Sequence, residues 1–180
     1  MIVGGPTGGD SGRSRKKYAR YSETDRRGYQ IMSVDKDDEI IFGKGDLDVD
    51  TGSQNDPMII RMDIANFMVH KVLVDKGSSV DILFMDVLRK MKIGVASLRL
   101  VNTSLIGFGG SEVIPLRTID LPVLIGMEPK RKTMMMKFLV VDTPFAYNVI
   151  LGRPDLNLFR AFMSTFHLQM KFPIAMVSGR

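Results

Sequence analysis

The chain has 180 residues, 44% of them apolar, enough for one domain of ordinary size with a packed core and a tail. It has no Cys, no Trp and two His, so disulfide scaffolds and Cys-ligated zinc are excluded and Ser-His triads have little material. No apolar run approaches the roughly 20 residues of a membrane span, and the first residues lack the apolar core and cleavage site of a secretory signal.

The net charge of +5 is unevenly spread. Residues 1–27 carry seven basic and three acidic groups, residues 28–56 two basic and eight acidic, and residues 57–180 sixteen basic and nine acidic. This reads as a basic tail, an acidic linker and a mildly basic body. Residues 1–56 are therefore expected to be a disordered segment, basic and then acidic, before a folded domain at 57–175. The tail's glycines do not make a phosphate loop, because no strand precedes them and no Gly-Lys-Ser/Thr follows. No aromatic-basic interleaving or zinc knuckle appears, so nucleic acid is expected only as a weak, nonspecific contact of the tail. Within the linker, Ile40-Ile41-Phe42 is a short apolar patch suited to an edge strand or a docking motif.

From Met58 the pattern changes. Met58 to Ile64 and Phe67 to Val74 read as the two strands of a hairpin turning at Ala65-Asn66. The second strand delivers Asp75, followed by Lys76, Gly77, Ser78 and Ser79. Val80, Leu83, Phe84, Val87, Leu88 and Met91 then recur at helical spacing. This predicts a helix near 80–91, with Ser78 or Ser79 as N-cap and Asp81 in the first turn. Leu98 to Ile106 and Glu112 to Leu116 flank a Gly-rich tip and read as a second hairpin. Arg117 to Ile125 contains Pro122, so an edge or bulged strand is expected. Met134 to Val141 reads as a buried strand. Val149-Ile150-Leu151-Gly152 is followed by Arg153-Pro154, a helix start over 154–161. Ser164 to Phe172 returns to strand.

The string Val72 to Phe84, VLVDKGSSVDILF, resembles the Asp-Thr/Ser-Gly-Ser active-site loop of retropepsins. It is most similar to the protease segment of plant gypsy-type LTR-retrotransposon gag-pol polyproteins, where VDxGSSxDILF-like strings are common. Ile150-Leu151-Gly152-Arg153-Pro154 strengthens the likeness, which covers residues 57–172, with 1–56 resembling the linker before such a protease. The resemblance implies a mostly β fold, a closed antiparallel barrel with one or two short helices. It implies an aspartic endopeptidase with Asp75 as catalytic residue and Lys76, Gly77, Ser78 and Ser79 as its loop. Gly77 would allow a sharp turn, and Ser78 or its neighbour would hydrogen-bond near the carboxylate. Ile106, Gly107, Phe108, Gly109 and Gly110 would form a flap over a polyprotein peptide. Ile150, Leu151 and Gly152 would support the loop from below.

Such chemistry needs two carboxylates about 3 Å apart sharing a proton, and no cofactor or metal. The chain offers one Asp-x-Gly-Ser motif, so a second copy of the chain, a homodimer, must supply the other. Lys76 departs from the Thr or Ser that retropepsins carry there. Lys has three donors and no acceptor, so a hydroxyl grip across the dimer axis is lost. Plant elements often carry Asn at this position. Lys lies one base change from Asn or Thr, so a catalytically inactive relic, keeping dimerisation or peptide binding, is the alternative. With no signal, no span and no Cys, an intracellular, cytoplasmic setting is expected, without a membrane partner.

Overall fold

The structure is a computed structural model, and it describes residues 31–35, 39–46, 56–100, 105–106, 112–113, 117–127 and 130–174. The expected disorder of residues 1–27 lies outside the described residues.

The strands are β1 (Ile31–Asp35), β2 (Ile59–Ile64), β3 (Phe67–Val74), β4 (Ile82–Phe84), β5 (Arg99–Leu100), β6 (Leu105–Ile106), β7 (Glu112–Val113), β8 (Arg117–Met127), β9 (Lys130–Val141), β10 (Val149–Leu151), β11 (Phe162–Ser164) and β12 (Gln169–Ile174). Two short helices, α1 (Met85–Lys90) and α2 (Arg153–Leu158), accompany them. The main sheet runs β2-β3-β10-β4-β9-β8-β5, and β2 also pairs with β8. That last pairing closes six strands into a barrel and leaves β5 outside the ring. The expected closed, mostly β fold with two short helices is the one observed.

The barrel is not uniformly antiparallel. β10 runs parallel to β3, and β4 runs parallel to β9. The first departure comes from β10, which is threaded between β3 and β4 from far along the chain and runs antiparallel to β4. Side chains alternate across these strands as a pleat requires. Val72, Leu83, Val140, Val149 and Leu151 point into the main core. Leu73, Ile82, Phe84, Val141 and Ile150 belong to a second apolar cluster on the opposite face.

The helix expected near 80–91 is half right. Ile82–Phe84 is strand, and α1 begins only at Met85, with Phe84 as an N-cap that has no side-chain bond. Ser78, Ser79 and Asp81 therefore do not serve this helix. All three residues of β4 are buried, and a short apolar run covered on both faces has no periodicity that separates strand from helix.

Pro122 does not put β8 at an edge. β8 pairs with β9 along its whole length. The Pro122 carbonyl accepts from the Ala65 N–H at 2.8 Å. A strand residue presents N and C=O to the same side, so the missing donor faces β2 and no bond to β9 is lost. Ala65 and Asn66, with φ of 49° and 66°, make the tight hairpin turn that the sequence placed there.

The acidic stretch contributes more than a linker. β1 pairs in parallel with β12, giving a small sheet in the order β1-β12-β11. Of Ile40-Ile41-Phe42, no residue is in a strand; the patch docks. Lys171 on β12 is 8% exposed, and its ammonium donates to the Ile41 carbonyl at 2.8 Å. It also pairs with the Asp46 carboxylate at 2.8 Å and lies 4.9 Å from the centre of the Phe42 ring. Gln169 donates to the Asp46 carbonyl, and the Gly43 N–H donates to the Asp46 side chain. The Lys171 hydrogen bond, helped by the Gly43 N–H, holds the Asp46 carboxyl below its ordinary value. This clasp fixes residues 41–46 on the body of the domain. Lys171→Ala should release it: amide exchange at Gly43 and Asp46 should speed up markedly while exchange in β3 and β9 stays unchanged.

Candidate active site

β3 ends at Val74, and Asp75 begins the loop that leads to β4. Three contacts fix it. The Asp75 N–H donates to the Leu151 carbonyl at 2.9 Å, continuing the β3–β10 ladder by one bond. The Ser78 N–H donates to the Asp75 carbonyl at 3.2 Å, closing a turn over Lys76 and Gly77. The Gly77 N–H donates to Asp75 Oδ1 at 2.8 Å, the local Asp-turn bond that aims the side chain. The carboxylate is therefore oriented by its own loop. Asp75 is half-buried and Lys76 is exposed.

Gly77 is not in the left-handed region. Gly126, with φ of 91°, is the glycine with positive φ among the described residues. Gly77 contributes its N–H to Asp75 rather than an unusual turn. The Ser78 hydroxyl is engaged with the backbone of its own loop. Ser78 is fully buried, and its Oγ donates to the Val80 carbonyl at 2.6 Å while accepting from the Val80 N–H at 3.3 Å. A serine that satisfies its neighbour's backbone lets the loop turn inward without orphaned polar groups. Ser79 is exposed.

Ile150, Leu151 and Gly152 lie directly against this loop. β10 is buried throughout and bonded on both sides, to β3 and to β4. At its start the Asn148 side chain donates to the His70 carbonyl at 2.7 Å, and the Asn148 N–H donates to the Lys71 carbonyl. At its end the Arg153 N–H donates to the Ser78 carbonyl at 3.0 Å. Gly152 has an ordinary extended backbone, with φ of −95°. Its requirement is space: a Cβ there would run into the Val80 carbonyl group. Sequence reasoning named Gly152; the backbone crossing that demands it becomes visible only in three dimensions.

Two functional candidates were missed. Asp81 ends the Asp75 loop and Asp155 opens α2, and both are buried. The Gly152 N–H donates to Asp81 Oδ1 at 2.6 Å. Burial, acting first, raises both carboxyls above their ordinary values, Asp81 to about 6 and Asp155 to about 8, the latter also through the charge of Asp81. An acidic residue at the first turn of a predicted helix is an ordinary sight, so neither carried a signal.

Of the expected flap, β6 and β7 pair antiparallel, Leu105 with Val113 and Ile106 with Glu112. Gly107, Phe108, Gly109 and Gly110 lie outside the described residues. Among the described residues no three His, Asp or Glu side chains cluster as metal ligands, and no helix is long and apolar enough to cross a membrane.

No protein-family model matches the chain. No curated protein matches it either. Among solved structures it is similar to the EIAV protease complexed with the inhibitor HBY-793, with 23% identity over 63% of this chain and 98% of that one, at a TM-score of 0.45. It is also similar to the retroviral protease-like domain of Ddi1 from Leishmania major, with 17% identity over 61% and 83% of the two chains and a TM-score of 0.45. A retropepsin-like aspartic protease from Rickettsia conorii is similar at 20% identity over 59% and 75%, with a TM-score of 0.44.

Gly152→Ala should be the most damaging single methyl in this region. The obstacle is backbone, which cannot swing away, so a loss of about 3 kcal/mol in unfolding free energy is expected from denaturant titration.

Proposed function

We propose that the chain is the aspartic endopeptidase of a plant gypsy-type retrotransposon gag-pol polyprotein, active as a homodimer with one Asp75 from each subunit. The observation that carries this reading is the setting of Asp75. It stands at the end of a barrel strand, its backbone tied to Leu151 and its carboxylate aimed by the Gly77 N–H. A rigid support beneath a half-exposed carboxylate suits a group that must meet a second carboxylate and a water. One Asp75 would act as base toward that water. The other, protonated, would polarise the scissile carbonyl. This chemistry asks for two carboxyls and a water, with no cofactor or metal.

The endopeptidase domain would span residues 57–175, with segment 41–46 clasped onto it. The β6–β7 pair would be the stem of a flap that includes Ile106, Gly107, Phe108, Gly109 and Gly110 and excludes water from a bound polyprotein peptide. The proposed setting is the cytoplasm, where a chain without Cys has nothing to oxidise to disulfide.

Lys76 favours a second reading, a retropepsin-like domain that dimerises or binds peptide without cutting. Its ammonium is exposed in the single subunit. Near a two-fold axis two such charges repel and forfeit hydration.

Asp75→Asn should abolish turnover of a flanking polyprotein peptide at mildly acidic pH, since an amide cannot act as the base. Lys76→Thr should raise the rate chiefly at low protein concentration, by tightening the dimer, and high salt should narrow the gap between it and the wild type. If neither wild type nor Lys76→Thr cuts while Lys76→Thr dimerises well by sedimentation, the non-catalytic reading takes precedence.

A further inference from the structure

Asp81 and Asp155 are 3% and 5% exposed, and their side chains are hydrogen-bonded to each other. Two ionised carboxylates have only acceptors, so a bond between them requires a proton. The surroundings decide where it resides. Asp81 takes the Gly152 N–H at 2.6 Å and also the Asp155 N–H. Asp155 Oδ2 is buried and accepts no protein N–H or O–H. The carboxyl rich in donors keeps the charge, and the one without them keeps the proton.

Among the described residues no cation relieves the pair. The charged and titratable groups along the neighbouring elements are His70 and Lys71 on β3, Asp75 and Lys76 on the loop, Lys130, Arg131, Lys132 and Lys137 on β9, and Arg153 and Arg160 around α2. Neither carboxyl's shift draws on any of them.

We propose that Asp155 stays protonated at neutral pH and donates to Asp81, so that one shared proton pins the Asp75 loop to helix α2. Asp81 and Asp155 are thus positioning residues. The pin spans two segments that otherwise meet through backbone bonds, Asp75 to Leu151 and Arg153 to Ser78. Its bearing on catalysis rests on the endopeptidase reading; the shared proton rests on the buried pair alone.

The pH dependence follows from the directions of the shifts. Both carboxyls bind protons more tightly in the folded chain than in the unfolded one. Folded protein then holds more protons than unfolded protein from about pH 4 upward, and the pair's contribution to stability declines as pH rises through about 6 and about 8. Beyond that both are ionised and repel each other across the junction.

The test uses the whole chain and needs no turnover. Infrared spectra of the wild type should show the carbonyl band of a protonated carboxylic acid near neutral pH, fading through about pH 8 and absent in Asp155→Asn. Thermal midpoints should fall for the wild type relative to Asp155→Asn as pH rises from about 5 to about 9, because an amide donates to Asp81 without needing a proton. Over the same range, intrinsic-rate-corrected protection of the Gly77 and Gly152 amides should drop several-fold in the wild type and stay level in Asp155→Asn. Absence of the band in the wild type overturns the shared proton even if no variant folds. A band with unchanged amide protection overturns the pin. Neither result depends on whether the chain cuts peptides.

Discussion

The structure depends on one close crossing. Gly152 passes so near the Val80 carbonyl group that no side chain fits between them. Because the two backbones touch, β10 can lie between β3 and β4 and bond to both. Because β10 lies there, the Asp75 N–H finds the Leu151 carbonyl, and the Arg153 N–H finds that of Ser78. The barrel closes around this insertion, with the second apolar cluster, Ile82, Phe84, Val141 and Ile150, packed on the other face of the same strands. A loop held this way moves only if β10 moves, and β10 is buried throughout.

What the sequence made legible is what local chemistry determines. The β2–β3 hairpin follows from alternating apolar residues and a two-residue turn, and α2 from Pro154 near its first position. Asp75 at a strand end follows from Val72-Leu73-Val74 running into a polar, Gly-containing string. What stayed hidden depends on partners far away in the chain. Ile82-Leu83-Phe84 becomes strand because β9 and β10 offer edges on either side. Lys171 drew no notice in the sequence, yet it is buried and its ammonium joins Asp46, Ile41 and Phe42. No spacing rule links residues 46 and 171. Ser78 was legible as a loop serine, but not the direction of its hydroxyl, which turns to Val80 because Val80 is the backbone needing a partner.

Two kinds of carboxyl serve opposite needs at this junction. Asp75 is half-buried and held by a turn of its own making. Asp81 and Asp155 are enclosed, with a proton in place of a counter-ion. A buried cation paired with Asp81 would be costly to desolvate and would stand close to the loop that carries Asp75. A neutral acid donates the same hydrogen bond without placing a second charge beside that loop. An acid–acid pair is thus a way to cross-link two backbones with little disturbance of the potential at Asp75.

Lys76 completes this electrostatic picture. In the single subunit its ammonium is in water, so the fold bears no desolvation cost for it. In the proposed homodimer any cost would fall on association alone, when a second copy brought its own Lys76 toward the same axis. The loop geometry therefore says little against Lys76, because Gly77 and Ser78 make their bonds through backbone and hydroxyl groups that Lys76 does not touch. Under the homodimer reading, substitutions at position 76 would leave this loop intact and change only the strength of pairing. If the chain pairs as proposed, dimer affinity, rather than stability of the subunit, is the property on which the identity of residue 76 would act.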